Sequence, residues 1–170
     1  MVYEDVRVEQ LVKHKPTFLN ILIKVVAILL GLVVTATAWL ITPRYSYILF
    51  TAAWIAAYFI FITQSYEYEY IYDSGDLYID KIVAKRRRTR AIATHMDQIE
   101  LFAPCDDAHA NLVPAQGLES SQSYCTSKKA QGRWFFLIPG KTGGKIQVIF
   151  EPGARMQETL QNALRGKAVQ

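Results

Sequence analysis

Hydrophobic and polar positions follow two different rhythms along this chain. From Phe18 to Thr63 apolar residues run almost unbroken. The first run is Val25–Ile41, extended backwards by Phe18–Ile23 with only Asn20 and Lys24 intruding; the second, Tyr45–Thr63, carries no charge. About 20 mostly apolar residues are needed to cross roughly 30 Å of hydrocarbon, and both runs meet that length if Lys24 reaches the headgroups with its ammonium. The connector Thr42-Pro43-Arg44 is too short to hold a domain, and Pro43 stops the first helix because its ring and missing N–H cannot continue one. The pattern predicts a helical hairpin that spans a membrane. Trp39, Tyr45 and Tyr47 fall where an interfacial aromatic belt lies. Ala27/Gly31/Thr35 and Ala52/Ala56, Ala53/Ala57 recur at a spacing of four, which lines one helix face with small residues and allows close packing.

After Thr63 the period becomes two. Tyr66, Tyr68, Tyr70 and Tyr72 alternate with Glu67, Glu69, Ile71 and Asp73; Asp73-Ser74-Gly75-Asp76 follows, then Leu77, Ile79 and a run to Val83. Two alternating stretches about a short glycine-containing turn predict a β-hairpin pairing Tyr72 with Leu77 and Tyr70 with Ile79. Its other face sets Glu69 against Asp80, a like-charge pair that needs cations nearby. A third strand, Arg90–His95, supplies them if it returns beside the second. A fourth is expected at Asp97–Ala103, and Pro104–Gln122 reads as a loop with a helical turn near Asp106–Leu112 capped by Asp106. Regular structure is expected to resume at Ser123–Ser127. Arg133–Pro139 and Lys145–Glu151 form a hairpin about Gly140–Gly144. Pro152-Gly153 then introduces a helix whose Met156, Leu160, Ala163 and Leu164 share a face, with Gly166 as its stop. Before the hairpin, Val8, Leu11 and Val12 suggest a short interfacial helix over Val2–Lys15, or a frayed tail, ended by Pro16; Thr17 is placed to cap the first span.

The expected organisation is a segment 1–17, a two-helix membrane hairpin 18–63, and a domain 64–170. The fold class is α+β: about seven antiparallel strands in a small barrel or sandwich, capped by the carboxy-terminal helix. Charge orients the hairpin. Arg7, Lys13, Lys15 and Lys24 precede the first span, Lys81, Lys85–Arg88 and Arg90 follow the second, and only Arg44 lies between. Lys and Arg resist translocation, so both flanks are expected on the cytoplasmic side of the cell membrane. Ala36-Thr37-Ala38 resembles a leader cleavage site, but the long amino-terminal region with Glu4, Asp5 and Glu9 and the apolar run beyond Ala38 argue against a cut. The net charge of +4 expresses this topology rather than affinity for nucleic acid. Cys105 and Cys125 fall in the expected cytoplasmic part, where thiols stay reduced. The spans hold no carboxylate or histidine that would serve ion transport.

Seven strands followed by one amphipathic helix resemble the pleckstrin-homology-like (PH-like) fold. The segments Tyr66-Glu67-Tyr68-Glu69-Tyr70-Ile71-Tyr72, Gly75-Asp76-Leu77-Tyr78-Ile79-Asp80-Lys81-Ile82, Ile99-Glu100-Leu101-Phe102-Ala103-Pro104 and Phe150-Glu151-Pro152 look like a family of small two-span membrane proteins of Gram-positive bacteria that carry such a domain. The resemblance implies a fold and transfers no activity.

The sharpest candidate site is the basic run Lys85, Arg86, Arg87, Arg88 and Arg90. Beside a membrane it would attract anionic lipid; as an ordinary charge run it would be a solvated loop with cross-strand partners. Cys105, Asp106 and His109, with Cys125 or His95, fall short of the paired spacing of a zinc site, and nothing marks a Cys–His nucleophile pair. Gly140-Lys141-Thr142 ends like a phosphate-binding loop but lacks the earlier glycine and the following helix. The tyrosine ladder reads as core. No cofactor, metal or catalytic residue is expected. The chain reads as a membrane-anchored interaction module for a protein partner. Sensing of anionic headgroups through the basic run is the alternative, and an enzyme or enzyme subunit gathering Cys105, His109 and acids in a pocket is a third.

Overall fold

The computed structural model describes residues 6–41, 43–114, 116–127 and 130–169. Glu4 and Asp5 of the amino-terminal region and Thr42 of the connector lie outside the described residues. In order the elements are β1 (Arg7–Lys13), α1 (Phe18–Ile41), α2 (Ser46–Thr63), β2 (Tyr66–Asp73), β3 (Asp76–Val83), β4 (Arg87–His95), β5 (Leu101–Pro104), β6 (Leu118–Ser123), β7 (Trp134–Pro139), β8 (Lys145–Phe150) and α3 (Ala154–Ala163). They gather into two units. One takes the chain up to His14 with Glu67–Ile82 and everything from Arg88; the other takes Lys15–Tyr66 with Val83–Arg87.

The helical unit forms as its sequence dictates. The Thr17 carbonyl accepts the first helical bond, from Ile21 N–H at 3.1 Å. α1 ends at Ile41, and Pro43–Tyr45 makes a single 3-10 turn that Ser46 Oγ closes by donating to the Pro43 carbonyl at 2.9 Å. The buried positions are small ones: Ala27, Gly31 and Ala38 on α1, and Ala57 on α2. Small side chains let the two helices approach closely where apolar surface alone gives no preference in lipid. Thr35, Thr37, Thr51 and Thr63 donate to carbonyls one turn back at 2.7–2.9 Å, so their hydroxyls ask nothing of a hydrocarbon surround. Lys24 Nζ lies 5.4 Å from the centre of the Phe61 ring, a cation–π contact that shelters the single charge within α1. The most apolar stretches have mean hydropathy 2.5 and 1.8, yet only 11 % and 6 % of their residues are buried. Both helices are long and apolar enough to span a membrane.

Among the described residues the other unit holds two four-stranded sheets, β1-β2-β3-β4 and β5-β7-β8-β6, and no closed barrel. Its first strand corrects the expected amino-terminal helix or frayed tail. β1 pairs antiparallel with β2 over its whole length, from Arg7 opposite Asp73 to Lys13 opposite Glu67. Val8 and Val12, four apart, fit one face of a helix and one face of a strand equally well, and Leu11 decides the matter. It stands 51 % exposed, while Val8 and Val12 are buried at 5 % and 8 %. Gln10 lies between them and spends its amide on the entrance to α3: Nε2 donates to the Glu151 carbonyl at 3.0 Å, and Oε1 accepts from Gly153 N–H at 2.6 Å. Residues 14–65, both helices included, are therefore an excursion between two neighbouring strands of one sheet.

The β2–β3 hairpin turns at Ser74 (φ +48°) and Gly75 (φ +101°), the left-handed pair that matches strand twist in a two-residue turn. Tyr70, Tyr72, Leu77 and Ile79 are all buried, as the alternation requires. Two later expectations need correction. The fourth strand begins at Leu101, because Met96–Gln98 form a 3-10 turn that His95 Nδ1 caps by accepting from Asp97 N–H at 3.2 Å; Ile99, buried at 1 %, then leads in. The expected loop Pro104–Gln122 contains β6, which ends at Ser123 where structure was expected to resume and runs parallel to β8 rather than antiparallel. Leu118-Glu119-Ser120-Ser121-Gln122-Ser123 carries little β propensity; its place on the sheet edge needs only one paired side.

The principal core lies between the sheets. Tyr70 and Phe136 each meet Phe150 edge-on, at 5.5 and 5.4 Å between ring centres, and Phe102 stacks on Trp134 at 4.6 Å. Met156, Leu160 and Leu164 of the expected α3 face are buried to within 2 %. A smaller cluster of Ala103, Phe135 and Leu137, with Leu101, Cys105, Val113, Ile149 and Val169 against it, holds the segment before β6 and the carboxy-terminal tail. That tail turns at Gly166 (φ +93°) and lies beside β5: Phe102 N–H donates to the Lys167 carbonyl at 3.0 Å, and Val169 N–H to the Phe102 carbonyl at 2.9 Å.

Candidate functional site

The basic run divides into two parts with different partners. Arg88 and Arg90 belong to β4 and answer the acids of the neighbouring strands. An Arg88 guanidinium nitrogen lies 2.6 Å from Glu69 Oε2, and Arg90 Nε donates to Asp80 Oδ1 at 3.0 Å. Asp80 is only 1 % exposed, and Arg90 is the cation that answers it. The Arg90 guanidinium also covers the Tyr78 ring at 4.1 Å, and the Tyr78 hydroxyl donates to Asp76 Oδ2 at 3.1 Å. That hydrogen bond holds the Tyr78 phenol above its ordinary range, with burial acting the same way. The like-charge problem read from Glu69 and Asp80 is thus resolved by the two arginines placed to resolve it. Arg90→Ala is expected to lower the melting temperature by about 5–10 °C by stranding the Asp80 carboxylate, and Asp80→Asn in the same chain to recover most of that loss, as read by thermal unfolding.

Lys85, Arg86 and Arg87 are placed otherwise. Lys85 and Arg86 form the β3–β4 turn with Ala84, closed by Arg86 N–H donating to the Val83 carbonyl at 3.1 Å; Arg87 opens β4, and all three cations are exposed. Ala84 and Lys85 both adopt positive φ, +54° and +56°, without being glycine. Ala84 N–H donates to the Ser65 carbonyl at 3.0 Å, which fixes the turn to the chain just beyond α2. None of the three makes an ion pair among the described residues.

Among the described residues no group of three or more His, Cys, Asp or Glu is placed to hold a metal ion. Asp106 accepts from His109 N–H at 2.9 Å and meets His109 Nδ1 at 2.5 Å, but the helical turn expected from Asp106 covers only Ala110–Leu112, its N-cap is His109 and no side chain caps it, so the capping role expected of Asp106 is corrected. The hydrogen bond to His109 holds the Asp106 carboxyl below its usual range. Cys105 follows β5 and Cys125 follows β6, the two outer strands of one sheet, with β7 and β8 between. Burial pushes the Cys125 thiol above its ordinary value, away from the reactive thiolate. The Gly140–Gly144 loop is closed by Gly140 N–H on the Gly144 carbonyl at 2.7 Å, and Glu119 Oε2 accepts from Thr142 N–H at 3.3 Å. A carboxylate of the chain itself thus faces the amides a phosphate would use. A Cβ at Gly144 would come 2.8 Å from the Gly117 carbonyl, which accounts for the glycine without a ligand. The buried tyrosines Tyr68, Tyr70 and Tyr72 are core.

Sequence reasoning missed β1 and Gln10. The available signal was the spacing of four between Val8 and Val12, which two periods satisfy. No curated protein and no solved structure matches this chain. A family model does, along residues 4–170. With its two sheets, closing helix and paired apolar helices, the chain belongs to the family described as bacterial PH-like domain (DUF6106).

Proposed function

We propose that this protein is a membrane-anchored, non-catalytic interaction module that offers its PH-like domain to a protein partner at the inner face of a bilayer. A PH-like domain supports an interaction role in general; the anchor and the side are inferred from the chain. The observation that carries the reading is the pairing of β1 with β2. One strand precedes the first apolar helix and the other follows the second, so the two flanks share a side. Two spans satisfy that condition and a single span violates it. Cleavage after Ala38 would remove β1 and with it Val8, Val12 and Gln10 from the fold, which argues for retention of the hairpin. The excess of Lys and Arg on both flanks, against Arg44 alone between the spans, selects the inner side.

Anchoring raises the effective concentration of the domain toward other membrane-bound proteins. The contact surfaces best suited to a partner are the outer edge of β4, which lies at the border of its sheet with Thr89, Ala91 and Ala93 exposed, and the segment before β6 with Leu112 at 39 % exposure. Photo-crosslinking residues installed at Ala91, Leu112 and, on α3, Asn162 in native membranes test this. A discrete adduct from Ala91 or Leu112 and none from Asn162 supports the reading. Equal adducts from all three, or none from any, overturn it.

A further inference from the structure

We propose that Lys85, Arg86 and Arg87 form a docking surface for anionic phospholipid headgroups, a proposal that rests on α1 and α2 lying in a bilayer. Depth is the first argument. Ser65 stands two residues past the last residue of α2, and its carbonyl holds Ala84 N–H at 3.0 Å. An apolar helix that ends at Thr63 puts Gln64 and Ser65 at the headgroup level, and the hydrogen bond puts the next residue of the turn, Lys85, there as well. The turn belongs to the same compact unit as the helices.

Charge is the second argument. Arg88 and Arg90 are committed to Glu69 and Asp80, whereas Lys85 and Arg86 in the turn and Arg87 at the start of β4 are exposed and carry no ion pair among the described residues. Exposed Lys15 lies at the start of α1, the same end of an antiparallel hairpin, while the other end carries Arg44. Cations therefore gather at one end of the hairpin. The backbone adds a third indication. Two consecutive left-handed residues in a tight turn suit Asn-Gly, yet here they are Ala84 and Lys85. A lysine stands where glycine would relieve the backbone, which is the pattern expected when a side chain is kept for what it contacts.

Near an anionic surface each cation is worth about fivefold in binding, and the effect fades beyond a Debye length. The test uses the full chain reconstituted in nanodiscs of phosphatidylcholine and phosphatidylglycerol. Relative association of spin-labelled phosphatidylglycerol over spin-labelled phosphatidylcholine is read at low and high salt. The wild type is expected to prefer phosphatidylglycerol at low salt and to lose the preference with added salt. Lys85→Gln/Arg86→Gln/Arg87→Gln is expected to cut the preference about fivefold or more, and Lys141→Gln/Arg155→Gln/Arg165→Gln, three exposed cations elsewhere, to leave it unchanged. Lys85→Gly alone should weaken the preference while raising the melting temperature, which separates loss of contact from loss of fold. Unchanged preference in the turn variant overturns the proposal and leaves the anchor standing. A transferred effect, in which the turn variant keeps its lipid preference but loses the protein adduct, overturns it in favour of an acidic protein surface. A chain that fails to float with carbonate-washed vesicles overturns both the proposal and the membrane anchor beneath it.

Discussion

A chain that starts at residue 64 is expected not to fold. Without β1 the sheet loses a seven-residue pairing partner, and Tyr68, Tyr70 and Tyr72 of β2 face a core that Val8 and Val12 no longer complete. Burying a valine contributes roughly 1.5–3 kcal/mol, and each lost hydrogen bond of Gln10 about 1 kcal/mol. The sum is about 5 kcal/mol or more, comparable with the whole stability of many domains of this size. The converse is equally specific. Since Lys13 stands opposite Glu67, residues 14–66 can be replaced by Asn-Gly to give an ordinary two-residue hairpin. That excised chain is expected to be soluble without detergent and to unfold cooperatively in urea by far-UV circular dichroism, while the chain from residue 64 should bind a hydrophobic dye and show no transition. A cooperative transition in the latter would mean that β1 is dispensable.

Tyr70 joins the two sheets, and its loss should be the most damaging single substitution. The side chain is fully buried; its hydroxyl donates to the Tyr124 carbonyl at 2.5 Å and accepts from Glu151 N–H at 3.4 Å. Tyr70→Ala is expected to cost about 3–5 kcal/mol by leaving a cavity beside Phe150, and Tyr70→Phe about 1–3 kcal/mol by leaving two backbone groups unpaired. The phenol also carries a pH signature. Burial raises its pKa far above the ordinary value near 10, and burial raises those of Tyr72 and Tyr124 as well. In the folded state these phenols stay protonated where the unfolded chain has released its protons. Their contribution is therefore intact below pH about 10 and is lost as pH climbs above it. Each such group contributes a slope of up to about 1.4 kcal/mol per pH unit. Urea midpoints of the excised domain between pH 8 and 11 should fall at the alkaline end, and less steeply for Tyr70→Phe. Equal slopes would show that Tyr70 ionises as freely in the fold as outside it.

What was legible in the sequence was whatever one period could settle. Unbroken apolar length placed α1 and α2, and strict alternation about Ser74-Gly75 placed β2 and β3 with their inward residues. The cross-strand acids at Glu69 and Asp80 announced a need that Arg88 and Arg90 meet. What was not legible depended on partners far along the chain. β1 is a strand because β2 lies beside it, and β2 is more than 50 residues away in sequence. β6 is a strand because β8 offers a parallel edge to a serine-rich segment with no preference of its own. For the basic run, composition could not say which cations are spent. The division falls between Arg87 and Arg88, and only strand pairing with Glu69 and Asp80 reveals it.

The account stands on a membrane hairpin inserted between two paired strands, which forces residues on β1 and residues beyond α2 to the same side. Thiol labelling in intact cells reads this directly. In a chain with Cys105→Ser and Cys125→Ala, single cysteines are placed at Glu9 on β1, at Arg44 between the helices and at Lys141 in the β7–β8 turn. A membrane-impermeant maleimide is expected to reach Arg44→Cys from outside the cell, and Glu9→Cys and Lys141→Cys only after permeabilisation. Labelling of Glu9→Cys and Lys141→Cys on opposite sides, or of Lys141→Cys in intact cells, would contradict it.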